Sequence, residues 1–216
     1  MNLRKKFSEA DLQRIKTAVK DAESKISGEI VPVIVERSGV YSIASYRAAL
    51  FFSTVTFALI IVFDRYVPAL AIYDPRIIFT VVLTVGFAGA MLAYFLDPVK
   101  RWMITQQHMD KATRLRAESY FLNEEVFNTR KRTGIMIFVS FLEHEVIVMA
   151  DKGISSVVDQ KEWDKVVNAL ISKIKIGRTA EGLEAAIKRC GEILLEKDFT
   201  IAADDVNELK DDLRIE

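Results

Sequence analysis

Gly134-Ile-Met-Ile-Phe-Val-Ser140 and Glu145-Val-Ile-Val-Met-Ala150, joined by Phe141-Leu-Glu-His144, decide how this chain is read. Both runs are short and rich in β-branched and bulky apolar residues, the composition of strands. A four-residue connection between two such runs predicts an antiparallel hairpin. The first run is almost wholly apolar, so it is expected at the centre of a sheet. Asp151-Lys-Gly153 ends the second. Far upstream, Glu29-Ile-Val-Pro-Val-Ile-Val-Glu36 reads as a third strand, bounded by Gly28 and by Ser38-Gly39. Pro32 cannot donate to a ladder, which predicts an edge position or a bulge there.

Helical patterns surround these strands. Ser8 is placed to cap a helix whose third residue is Asp11. Leu12, Ile15, Val19, Ala22 and Ile26 follow as one apolar stripe, with Gly28 read as its stop. Val99 to Val126 holds no glycine or proline and predicts one long helix, with Met103, Met109, Ala112, Leu115, Ala117, Phe121 and Leu122 as its apolar face. Two more helices are predicted after the strand hairpin, Gln160–Lys175 and Thr179–Glu196. Gly177-Arg178 punctuates them, and Thr179 is read as an N-cap. The tail Asp204–Leu213 is read as a short helix or a frayed end.

Between the first strand and this long helix lie two uncharged runs, Ala48–Phe63 and Ile77–Leu96. The second is long enough to cross about 30 Å of hydrocarbon at about 1.5 Å per residue. The first is several residues shorter, but Arg47 and Arg65 can snorkel at its ends. The connector Asp64–Arg76 contains Pro68 and Pro75 and reads as an aqueous turn. The pattern predicts a transmembrane helical hairpin; the alternative is a pair of buried core helices. Gly86-Phe-Ala-Gly89 is a small-residue cluster through which the two could pack closely.

Lysine plus arginine number 30, as do aspartate plus glutamate, so no basic bias points to nucleic acid. The charge is unevenly spread: 1–47 and 99–132 lean basic, and the tail from Asp198 is acidic. Basic flanks beside apolar spans predict retention on the cytoplasmic side. The charged start lacks the apolar core of a secretory signal. Cys190, the one cysteine, excludes an intramolecular disulfide and lies among apolar neighbours, which suits a buried residue better than a nucleophile. His108 and His144 fall in different elements without ligand-spaced partners, which argues against zinc. No phosphate-binding glycine loop and no nucleophile elbow is present. Asp151, at a strand end, is the carboxylate that most invites a chemical reading, with Asp159 its one local partner; the favoured role is to end the strand and cap the next turn.

Residues 128–154, Asn128-Thr-Arg-Lys-Arg-Thr-Gly134 through the strand pair to Asp151-Lys-Gly-Ile154, resemble the central hairpin of the TPM domain family. Phe7-Ser-Glu-Ala-Asp11, Ser27-Gly-Glu-Ile-Val-Pro-Val33 and Gly177-Arg-Thr-Ala-Glu-Gly-Leu183 are similar to other parts of that domain. The resemblance implies an α/β fold: a small mixed sheet of about four strands with helices on its faces, here interrupted by a membrane hairpin. The turn and motif positions it singles out are Ser8, Gly28, Gly134, Asp151, Gly153, Gly177 and Gly182. It also implies phosphatase activity and divalent-cation binding in some members. Soluble members often carry Asp-Asn-Gly before the central strand, where this chain has Arg132-Thr133-Gly134. They tend to carry Gly-Tyr-Gly after the second strand, where this chain has Asp151-Lys-Gly153. Both departures weigh against a cation site and hydrolysis.

The expected organisation is a split α/β domain at 1–40 and 99–200, a hairpin at 41–98 and an acidic tail at 201–216. The expected role is an assembly, scaffold or auxiliary module for other membrane proteins. It would sit in the bacterial inner membrane, with both termini and the α/β domain cytoplasmic. No cofactor and no nucleic acid are expected. The alternative is a membrane-bound phosphatase with a divalent cation at Asp151 and Asp159. A pore is disfavoured, because the spans hold no ionisable residue.

Overall fold

Ser8 and Asp11 form the predicted capping box. The Asp11 N–H donates to Ser8 Oγ at 3.1 Å, and the Ser8 N–H donates back to the Asp11 carboxylate at 3.0 Å. Two orphan amides are thereby satisfied, and helix α1 runs Glu9–Glu23. The helix stops before Gly28, with Ser24 as its C-cap. Gly28 serves packing instead: a Cβ there would meet Leu194 Cδ1 and the Thr133 carbonyl, both at 2.9 Å. The computed structural model describes residues 3–67, 69, 71–201 and 207–216.

Contacts divide the chain into two compact units, residues 1–38 with 110–216 and residues 39–109. The first unit is built on a mixed four-stranded sheet. Its strands are β1 (Glu29–Val35), β2 (Gly134–Ser140), β3 (Glu145–Ala150) and β4 (Arg214–Ile215), in the order β3-β2-β1-β4. β2 pairs with β3 antiparallel, as the short connection requires, and with β1 in parallel, Glu29 opposite Gly134. β1 and β2 are buried along their whole length.

Pro32 marks neither an edge strand nor a bulge: β1 lies between β2 and β4 and pairs with β2 in unbroken register, and the proline is accommodated for a physical reason. Alternate residues of a strand send their backbone groups to opposite edges. Glu29 donates to Thr133 O on the β2 side. Ile30 donates to the Glu23 carboxylate, and Ile34 and Glu36 bond with Glu216 on the other side. Pro32 shares that second edge. β4 pairs only at Val33 and Ile34, so the missing N–H costs no ladder bond.

The two faces of the sheet are covered by different helices. Ile30, Ile34, Ile135, Ile137 and Val139 join α1, α7 (Gln160–Lys175) and α8 (Thr179–Glu196) in the larger core. Val31, Val33, Met136 and Phe138 meet α5 (Gln106–Asn123) through Ala117, Tyr120 and Phe121. Strict alternation along β1 and β2 produces this two-sided core. Cys190 is fully buried, and burial pushes its thiol up to about 12, which removes it as a thiolate nucleophile. Gly182 lets α8 approach α7: a Cβ would lie 2.8 Å from Lys173 Cβ. Gly177 turns the chain between them at φ +77°.

Four expectations need correction. The long helix from Val99 is two helices, α4 (Asp97–Trp102) and α5, broken at Met103–Thr105; Arg47 donates to the Met103 carbonyl at 3.0 Å. Leu115 and Leu122 are exposed, so they are not part of its buried face. Thr179 opens α8 but is not its cap; Arg178 holds that position without a side-chain bond. In the tail, 202–206 falls outside the described residues. Residues 207–213 are not helical, and the segment ends in β4.

The second unit contains two apolar helices, α2 (Ser42–Tyr66) and α3 (Pro75–Phe95), with mean hydropathy 1.9 and 2.1 over their most apolar 18 residues. α2 begins at Ser42, ahead of the uncharged run, and so reaches 25 residues. At about 1.5 Å per residue the two measure roughly 38 and 32 Å. Only 6% and 17% of those apolar windows are buried, whereas core helices would be mostly covered. Both helices could therefore cross a membrane by length and composition. They pack through Gly86 against Ser53 and Gly89 against Phe52. Thr56, Thr80 and Thr84 return their hydroxyls to carbonyls one turn back, which satisfies those three donors without water.

Candidate functional site

The loop Thr129–Thr133 builds one pole of the sheet, where β1 and β2 begin and β3 ends. Thr129 turns it: Arg132 N–H donates to Thr129 O and Thr133 N–H to Thr129 Oγ1. Arg132 adopts φ +57°, a left-handed conformation that costs a non-glycine residue about 1–2 kcal/mol. Its side chain makes two bonds to Asp151, Nε to Oδ2 at 2.6 Å and Nη2 to Oδ1 at 2.9 Å. The guanidinium also lies 5.8 Å from the Phe127 ring centroid.

Asp151 is only 5% exposed. Besides Arg132 it accepts the Lys152 N–H at 2.7 Å and so caps the short helix α6 (Lys152–Ser155). Its own N–H donates to Gly134 O. Gly153 presses against the loop, its N–H on Arg132 O at 3.0 Å. A Cβ at Gly153 would strike the Arg132 and Lys131 carbonyls, and one at Gly134 would strike the Val126 carbonyl. The two glycines and Asp151 thus form one tightly packed junction.

Asp159 does not join this junction. It caps α7 by accepting the Lys161 N–H at 3.2 Å. Among the described residues, no group of three or more His, Cys, Asp or Glu is arranged to hold a metal ion. His108 stacks edge-on with Tyr41, and His144 sits in the β2–β3 turn at φ +56°.

A carboxyl cluster beside this pole escaped the sequence reading. The buried Glu29 accepts the backbone N–H groups of Glu208 (3.0 Å) and Leu209 (3.3 Å). Glu23 accepts from Ile30 N–H at 2.8 Å, and Asp211 lies beside its carboxyl. Burial, with the charges of Glu29 and Asp211, pushes the Glu23 carboxyl up to about 8. Burial likewise raises Glu29, against the lowering effect of its two N–H partners. A cavity of about 20 Å³, room for about one water, is lined by Glu29, Lys131 and Thr133. Lys131 donates to Ser27 at 3.1 Å and Arg130 N–H to the Glu208 carboxylate at 3.0 Å. The one sequence signal was Glu29 itself, an acid at the start of a fully buried strand. Glu208 and Asp211 reach it only through the tertiary fold.

Taken together, a mixed sheet with helices on both faces and a paired Arg–Asp at its strand-end pole define a small α/β domain carrying a helical hairpin. Residues 98–193 match the family described as the TPM domain, and the chain carries that domain. The match begins after the hairpin; α1 and β1 lie outside it. The NMR structure of the BA42 protein from the psychrophilic bacterium Bizionia argentinensis is similar over 97% of this chain and 95% of that one. The TM-score is 0.58 at 20% identity, a likeness of fold alone. No curated protein matches.

Proposed function

We propose that this chain is an integral membrane protein whose TPM domain serves as an assembly, scaffold or auxiliary module for other membrane proteins. The observation that carries this reading is the Arg132–Asp151 pair. The carboxylate best placed for chemistry has both oxygens engaged, by a guanidinium and by a helix N-terminus. Hydrolysis assisted by a divalent ion needs open carboxylate oxygens. The exposed apolar hairpin supplies the membrane anchor.

Two experiments test this reading. In mild detergent, the chain should co-purify with a defined membrane complex, and a version reduced to residues 39–109 should not. The purified full chain should also show no turnover of a generic phosphomonoester above background with magnesium, calcium or manganese. Turnover that disappears in Asp151→Asn would overturn the auxiliary role and favour the phosphatase.

The domain is placed in the cytoplasm of a bacterium, at the inner membrane. Lys and Arg close to the spans set orientation, while acids count little. Arg37, Arg47, Lys100, Arg101, Lys111, Arg114 and Arg116 lie on the terminal side, against Arg65 and Arg76 in the connector. Alkaline phosphatase fused at Glu216 should be inactive, and the same reporter inserted near Leu70 should be active. The reverse pattern would put the domain in the periplasm.

A further inference from the structure

At the pole opposite Asp151, where β2 ends and β3 begins, lies a cavity of about 380 Å³. Val139, Val146 and Phe141 form its sheet side, and Ile171 and Ile174 of α7 its helix side. Lys6, Lys175 and His144 stand at its mouth. The volume lies near the lower end of the roughly 300–1,000 Å³ range of small-molecule pockets.

The charges at the mouth are one-sided. Lys6 lies 4.7 Å over the Phe141 ring. Among the described residues neither Lys6 nor Lys175 is in an ion pair. Glu145 borders the cavity, but strand alternation turns its side chain away. Val146 and Val148 face α7, while Ile147 and Met149 face α5. Glu145 follows the latter pair, and its carboxyl meets Thr113. The carboxylate of the buried Glu143 is taken by Ser38 N–H and Ser140 Oγ. Two carbonyls of the last turn of α7 are occupied as well, Ile174 by Gly177 N–H and Lys173 by Arg178 N–H.

We propose that this cavity binds one acyl chain with an anionic head, a fatty carboxylate: the tail against Val139, Val146, Ile171 and Ile174, the carboxylate between Lys6 and Lys175. An apolar chamber behind two unpaired ammonium groups fits that ligand. A neutral alcohol would forfeit the charge contact, and an alkylammonium would be repelled. The site is independent of the Asp151 pole and of the auxiliary role.

The test uses the full chain in lipid nanodiscs with dodecanoate carrying a terminal diazirine, cross-linked by light and mapped by mass spectrometry. Label is expected on 139–146 and 171–175. Unlabelled dodecanoate should compete, and dodecanol and dodecylammonium should compete at least tenfold less well. From octanoate to dodecanoate, competition should tighten by up to roughly fourfold per methylene until the chamber is full. Lys6→Gln with Lys175→Gln, both exposed positions, should weaken it about tenfold with unchanged circular dichroism. Ile174→Trp should block labelling with both lysines kept. Label confined to α2 and α3, or labelling of 139–146 and 171–175 that is indifferent to the double lysine variant, would overturn the proposal.

Discussion

Gly134→Val is expected to destabilise the α/β unit by about 3 kcal/mol or more, with Gly153→Val close behind. At Gly134 even a single added carbon would overlap the Val126 carbonyl, and at Gly153 it would strike the carbonyls of Arg132 and Lys131. These neighbours are backbone, so a rotamer change cannot relieve the clash. The loop itself would have to move. That movement would break the Asp151–Gly134 and Gly153–Arg132 backbone bonds and pull Arg132 from Asp151. Gly177→Ala is the control. It has φ +77° and nothing within 4 Å, so it should cost only about 1 kcal/mol from its left-handed backbone. Denaturation of the full chain in detergent, followed through buried Trp163, measures all three. A Gly134→Val midpoint within about 0.5 kcal/mol of the unmodified chain would show that the junction is looser than its contacts imply.

This junction was partly legible in the sequence. Gly134, Asp151 and Gly153 stand out as strand punctuation, and β2, β3, α7 and α8 follow from local periodicity that tertiary contacts only reinforce. Arg132 read as a replaced ligand. That its side chain would turn back onto Asp151 depends on a left-handed backbone that sequence does not announce for arginine. β4 was illegible because it has two residues, one of them Arg214, and gains its register only by pairing with β1 across the whole chain. The break at Met103–Thr105 was missed because no glycine or proline marks it. Pro32 misled in the other direction: its missing donor pointed to an edge strand or a bulge, whereas β1 is interior and tolerates the proline because β4 pairs only at Val33 and Ile34.

The second large effect concerns pH and comes from Glu23. Its folded value of about 8 lies above its ordinary value of 4.5, so between those limits the folded state holds a proton that the unfolded state releases. Stability from this group is therefore fully present below about pH 4.5 and is lost as pH rises through about 8. The shift sets a ceiling of roughly 5 kcal/mol at about 1.36 kcal/mol per unit; partial exposure and screening bring the expected loss to roughly 1–3 kcal/mol. Glu29 and Glu145 are raised too and add to the same trend. Glu23→Gln keeps an oxygen for the Ile30 N–H and carries no charge. It should match the unmodified chain near pH 4 and exceed its stability by about 1–3 kcal/mol at pH 8.5, as read from thermal melts. The strain of ionisation falls on a particular contact. Glu23 faces Glu29 and Asp211, and Glu29 holds the backbone of Glu208 and Leu209. Lys16 to Asp212 and Arg116 to Glu216 are exposed ion pairs and add little hold. Hydrogen exchange at pH 8.5 should therefore show residues 207–216 opening before β2, and Glu23→Gln should restore their protection. Equal protection of that segment at pH 5 and pH 8.5, once intrinsic exchange rates are corrected, would mean that Glu23 ionises without loosening β4.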